Sequence, residues 1–146
     1  MNTVFIADDE LIIRQGIKCI IDWEQLGFEI IGEASNGVDA LNFILNKQPD
    51  LVLMDIRMPK MLGLDVVEAA RNKGFNGKVI ILSGYTDFKY AQAAIKNGVD
   101  YYLTKPIDED ELYETVDSIR SQISKEAEDK ETLSTYRDKA KSMILF

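Results

Sequence analysis

Five short apolar runs alternate along the chain with five stretches in which apolar residues recur every three or four positions. The runs Val4–Ala7, Phe28–Ala34, Leu51–Met54, Lys78–Leu82 and Tyr101–Leu103 predict strands. Segments such as LVLMD and KVIILSG are continuously apolar, as expected of parallel strands covered on both faces. The stretches between them predict amphipathic helices. Ile13, Ile17, Ile20 and Ile21 form the apolar face of the first, and Ala40, Leu41, Ile44 and Leu45 that of the second. Val66, Val67 and Ala70 mark the third, Ala91, Ala94 and Ile95 the fourth, and Leu112, Val116, Ile119 and Ile123 the fifth. Breaks fall at Asn36-Gly37, at Gly74 and Gly77, and at Asn97-Gly98. Alternation at this spacing implies right-handed βα units in a doubly wound α/β fold, (βα)5, with a parallel sheet between helical layers.

Beyond about residue 124 the pattern changes. The stretch KEAEDKETLSTYRDKAKS is charged, free of Gly and Pro, and a good helix former. Leu133, Tyr136, Ala140 and Met143 make a narrow stripe, but Glu126 and Lys130 interrupt any heptad carried back to Ile123. A solvated helix or linker over 125–146 therefore fits better than a dimerising coiled coil. The chain stops at the apolar MILF, which reads as a cut through a longer protein.

Composition narrows the chemistry. The net charge of −8 and the lack of a basic cluster make residues 1–146 a poor clamp for nucleic acid. No apolar run reaches membrane-spanning length and the N-terminus enters a strand at once, which points to a soluble cytoplasmic protein. The single cysteine, Cys19, sits in an apolar helical pattern and is expected to be an inert core residue. The chain has no histidine, which removes His-based zinc sites and every Ser–His or Cys–His nucleophilic pair. Carboxylate, lysine, hydroxyl and Mg²⁺ chemistry remain.

The residues that could carry such chemistry share one position. Asp8, Asp9 and Glu10 end the first strand, Asp55 the third and Ser83 the fourth, while Lys105 follows the fifth. In an open parallel sheet, ligands bind at the carboxyl ends of strands where the order reverses. With the flavodoxin-like order 2-1-3-4-5, that point lies between strands one and three. Asp8, Asp9 and Asp55 would crowd there, beside Ser83 and Lys105. Packed carboxylates repel and call for a cation, and oxygen ligands without His or Cys suit Mg²⁺. Lys105 adds a fixed positive charge and Ser83 a hydroxyl donor for phosphoryl oxygens. A carboxylate in such a pocket can act as nucleophile and form an aspartyl-phosphate. A lone strand-end Asp is more often a turn residue or cap; the ordered combination carries the argument.

FIADDE, DLVLMDIRMP with Gly63 following, VIILSGY and YYLTKP together resemble the receiver domain of two-component response regulators, over about Val4 to Ile123. The resemblance implies a receiver over 1–124 that takes a phosphoryl group from a sensor histidine kinase, with Asp55 as the phosphorylation site. It implies Mg²⁺ bound by Asp9, Asp55 and the backbone carbonyl of Arg57, with Asp8 acting largely through water. It also implies Ser83 and Tyr102 as a switch pair, Lys105 as the phosphoryl-binding lysine, and a cis bond before Pro106. Such a protein catalyses only its own phosphotransfer and dephosphorylation. Its output, or a homodimer, would use the face of the fourth helix, fifth strand and fifth helix (4-α/5-β/5-α), or the C-terminal helix. The stretch SGYTDFKYAQAAIKNGVDYYLTKP is similar to the subgroup that precedes an AraC-type DNA-binding domain, so DNA and transcription would be reached only through an output domain absent here. Arg57 and Tyr85 occupy positions that influence phosphate lifetime in the family. One departure is Leu62, where the family usually has a polar residue before the glycine.

Three rivals fit less well. A carboxylate-nucleophile phosphatase commonly has a second Asp two residues after the first, where this chain has Arg57. A flavin module needs a loop of hydroxyls and glycines after the first strand, where Asp8-Asp9-Glu10 would repel phosphate. A partner-binding pseudo-receiver does not need the intact acidic pair, Asp55 and Lys105.

Overall fold

The computed structural model describes residues 1–84 and 98–144, with side chains through residue 139. Five strands, β1 (Asn2–Ala7), β2 (Phe28–Ala34), β3 (Leu51–Asp55), β4 (Lys78–Ser83) and β5 (Tyr101–Thr104), form one sheet. All pairings are parallel and the order is β2-β1-β3-β4-β5. Helices α1 (Leu11–Ile20), α2 (Gly37–Lys47), α3 (Gly63–Asn72) and a C-terminal helix (Glu109–Ile144) cover it. The doubly wound α/β architecture agrees with the sequence pattern, and the order is the flavodoxin-like one expected. The expected fourth helix, with Ala91, Ala94 and Ile95, and Tyr85 lie outside the described residues.

Strand periodicity divides the core in two, because successive side chains leave opposite faces. Phe5, Ala7, Val52, Met54, Val79 and Ile81 pack with Ala40 and Ile44 of α2 and Val66, Val67 and Ala70 of α3. Val4, Ile6, Leu51, Leu53, Ile80 and Leu82 pack with Ile17 of α1 and Leu112, Val116 and Ile119 of the C-terminal helix. The central strands are buried on both sides, which is why their sequences do not alternate. Phe43 on α2 stacks on Phe5 at 4.3 Å between ring centroids.

Cys19 departs from expectation: it is exposed. Ile17 is the buried residue of α1, and a residue two positions on is about 200° around the helix. Cys19 thus lies off the buried stripe, at the border of an apolar groove that Ile12, Ile13, Gly16, Ile17, Ile20, Pro106 and Ile107 also line.

The residues after 124 continue the helix begun at Glu109. Tyr101 Oη hydrogen-bonds Ser118 Oγ (3.0 Å) and accepts from Gln122 Nε2 (2.8 Å), and Lys78 pairs with Glu126 at 2.8 Å. Leu133 and Tyr136 are exposed, by 54% and 74%. Ala140 and Met143 lie beyond the described side chains.

Candidate functional site at the carboxyl rim of the sheet

Strand register builds the site. Ala7 pairs with Met54, so the residues that follow, Asp8 and Asp55, leave neighbouring strands at the same level. Asp55 pairs with Leu82, which puts Ser83 one step beyond, and Ser83 pairs with Thr104, which puts Lys105 one step beyond that. Four residues remote in sequence thus meet along one edge, at the point where the strand order reverses.

Asp8 is held at both backbone groups and at one carboxylate oxygen. Its N–H donates to the Ala34 carbonyl (3.1 Å), its own carbonyl accepts from Arg14 Nη1 (2.7 Å), and Oδ1 accepts from the Glu10 N–H (2.9 Å). Oδ2 is buried and lies 2.8 Å from Lys105 Nζ, yet it makes no hydrogen bond. The contact is therefore an ion pair outside regular hydrogen-bond geometry. The Lys105 ammonium also stands 3.4 Å from Asp55 Oδ1.

Burial, followed by the neighbouring Asp8 charge, pushes the Asp55 carboxyl up to about 6, against the opposing pull of Lys105. Burial disfavours the Lys105 ammonium, but the Asp8 and Asp55 carboxylates outweigh it and hold the lysine above its ordinary value. Two carboxylates share one cation, and the pocket remains short of positive charge.

Carboxylate oxygens of Asp8, Asp9 and Glu10 lie within 4.8 Å of one another, with Asp9 and Glu10 exposed. Glu10 is absent from the sequence-derived ligand set. It stands at the N-cap of α1 but makes no side-chain capping bond, so its carboxylate is not committed to the helix. A buried carboxylate oxygen without a hydrogen bond, a cluster of oxygen donors and an excess of negative charge suit a hard divalent cation.

Ser83 is fully buried, and its Oγ donates to the Gly84 carbonyl at 3.2 Å. Its oxygen also hydrogen-bonds the Tyr102 hydroxyl, and either group can be the donor. Tyr102 is half-buried against the α2/α3 side of the core. The Lys105–Pro106 peptide is cis, and Lys105 N–H donates to the Ser83 carbonyl at 2.7 Å. The phosphate-site candidates Ser83, Tyr102 and Lys105 thus form one connected group.

The loop after β3 folds back onto Asp55 because glycine permits it. The Gly63 N–H donates to the Ile56 carbonyl at 2.8 Å, and a Cβ at residue 63 would lie 1.9 Å from the Asp55 carbonyl oxygen. Gly37 similarly admits the Met61 carbonyl, which a Cβ there would approach to 2.1 Å. Arg57 is exposed in this loop and engaged with neighbours. Leu62, the departure from the family pattern, is the N-cap residue of α3 and supplies no capping bond.

An acidic cluster, a shared lysine and a hydrogen-bonded serine–tyrosine pair at the carboxyl rim of a five-stranded parallel sheet define a receiver-type α/β protein. The model of the response regulator receiver domain matches residues 4–117, and the chain belongs to that family. It is 38% identical over 126 residues to the transcriptional regulatory protein YesN of Bacillus subtilis, covering 86% of this chain and 34% of that protein. It is 46% identical to the transcriptional regulatory protein HptR of Staphylococcus aureus, covering 77% of this chain and 44% of the relative. The chain therefore spans less than half the length of these curated relatives. Among solved structures, the receiver domain of AraT, a response regulator from Geobacillus stearothermophilus, superposes with a TM-score of 0.82 at 42% identity, covering 86% of this chain and 97% of that one. A two-component transcriptional regulator AraC from Clostridium phytofermentans follows the same path, with a TM-score of 0.77 at 33% identity over 86% of this chain and 97% of that one. No described helix is long and apolar enough to cross a membrane.

Proposed function

We propose that the chain is a phosphorylation-dependent switch in which Asp55 accepts a phosphoryl group from a sensor histidine kinase. The observation that carries this reading is the sharing of one ammonium by two buried carboxylates, with Lys105 Nζ 2.8 Å from Asp8 and 3.4 Å from Asp55. An Asp55 oxygen forms the new P–O bond as the donor's P–N bond breaks and the imidazole leaves. Asp8, Asp9, Asp55 and the Arg57 backbone carbonyl would hold Mg²⁺. Bound there, Mg²⁺ supplies positive charge that neutralises the oxygens of the transferred group.

Lys105 then faces the phosphoryl oxygens, a geometry suited to charge-assisted pairing. Ser83 exchanges its hydrogen bond to Gly84 for one to a phosphoryl oxygen, and the Tyr102 hydroxyl, already on Ser83 Oγ, moves with it. Phosphorylation biases the two arrangements only through contacts it makes better in one of them. The altered surface of the fourth helix, fifth strand and fifth helix, or the C-terminal helix, would pair with a second copy. Residues 1–124 would form the receiver and 125–146 a helical extension toward an output domain. The relatives' names make transcription the output we favour, in the cytoplasm, with DNA contacted only through that further domain.

The test is incubation with Mg²⁺ and a small-molecule phosphoryl donor, followed by intact mass and peptide mapping. The wild type should gain the mass of one phosphoryl group, labile to hydroxylamine and located on Asp55. A gain that persists in Asp55→Asn, or none in the wild type, contradicts the reading.

A further inference from the structure

Arg14 occupies an unexpected place for a basic residue on α1. Its side chain is largely buried and its guanidinium is divided between β2 and the residue that follows β1. Nε donates to Glu33 Oε1 of β2 at 2.9 Å, while Nη1 donates to the backbone carbonyl of Asp8 at 2.7 Å. Glu33 also pairs with Lys18 one turn further along α1, and Lys18 and then Arg14 hold its carboxyl below the usual glutamate value.

The arrangement has two chemical consequences. First, the guanidinium fork is planar and rigid, so bonding Glu33 through one nitrogen fixes where the other points. The Asp8 carbonyl is thereby pinned, and with the Ala34 and Glu10 bonds the residue holds Oδ2 in the pocket beside Lys105. Second, Glu33 engages the Arg14 charge outside the acidic cluster, and the donor reaching Asp8 meets its carbonyl. Arg14 therefore orders the acidic residue without occupying its carboxylate.

We propose that Arg14, held by Glu33, is a positioning residue for cation binding at the Asp8–Asp9–Asp55 rim. This rests on the reading of that rim as a Mg²⁺ site. The proposal has an unusual sign. If Arg14 acted only as a nearby positive charge it would repel the cation, and its removal would tighten binding. If it positions Asp8, removal loosens binding, as loss of the groups that orient metal ligands generally does.

The experiment is calorimetric titration of the intact chain with Mg²⁺ alone, for wild type, Arg14→Met and Arg14→Lys, with metal-free melting recorded alongside. Arg14→Met removes charge and donor but keeps length, and its dissociation constant should rise about tenfold. Arg14→Lys keeps the charge and loses the fork, and should also bind more weakly. Unchanged or tighter binding in either folded variant overturns the proposal. A fall in metal-free melting temperature with an unchanged dissociation constant does the same, since it marks a purely structural role. If Arg14→Met does not fold, Arg14→Lys decides. No binding by the wild type removes the Mg²⁺ reading itself, an outcome distinct from a wild type that binds while the variants bind equally well.

Discussion

Two edges of one sheet each carry an aspartate between β1 and β3, under opposite conditions. At the amino edge, Asp50 Oδ2 accepts from the Thr3 N–H at 2.8 Å and its hydroxyl at 3.2 Å, while the Asp50 N–H donates to Thr3 Oγ1 at 3.1 Å. At the carboxyl edge, Asp8 and Asp55 share Lys105, Asp8 Oδ2 makes no hydrogen bond, and burial drives the Asp55 carboxyl up. The first aspartate ties strands together. The second group holds charge in an unfavourable state that a cation or a proton relieves. Residue type does not separate the roles; satisfaction of the oxygens does.

The largest effect expected is at Lys105. Lys105→Met leaves two buried carboxylates without their cation and should lower metal-free stability at pH 8 by about 3 kcal/mol in chemical denaturation. At the other edge, Asp50→Ala strands the Thr3 N–H and should cost about 2 kcal/mol. A neutral outcome there would mean that Asp50 is not structural, and the contrast would fail.

Asp55→Asn should act in the opposite direction. Between about pH 4 and pH 6 the folded protein keeps a proton on Asp55 that the unfolded chain has released, because its carboxyl is raised from 3.8 to about 6. Metal-free stability therefore falls as pH rises through that window and stays reduced above it. Asp55→Asn should remove this fall, gaining on the order of 2 kcal/mol at pH 8 and little at pH 4. Parallel pH–stability curves for variant and wild type would refute the crowding. The smallest effect lies at the uncapped start of α3, also on the carboxyl rim. Leu62→Ser supplies the missing acceptor and should add about 1 kcal/mol; no gain would mean the loop cannot present a cap.

Much of this was legible in the sequence because it depends on short periods. Continuous apolar runs and helical spacing give the strands and the described helices, whereas the 2-1-3-4-5 order comes from the flavodoxin-like fold class and not from any period in the chain. Strand ends then place Asp8, Asp55, Ser83 and Lys105 along one rim. What escaped depends on angles within a helix or on distant partners. Cys19 belongs to an apolar stretch but points away from Ile17. Arg14 looks like any solvated helical arginine until β2 brings Glu33 to it, 19 residues on. Asp50 and Thr3 meet across 47 residues with no local signal. Glu10 looks like a helix-start residue, and only its missing capping bond sets it apart.

The most direct test of the rim is the effect of Mg²⁺ on melting temperature in wild type and in Asp55→Asn at pH 8. A hundredfold excess over the dissociation constant should stabilise the wild type by about 2–3 kcal/mol. Asp55→Asn should start higher without metal and gain much less when it is added. Equal gains in both proteins, or a lower metal-free melting temperature for the variant, would contradict the account.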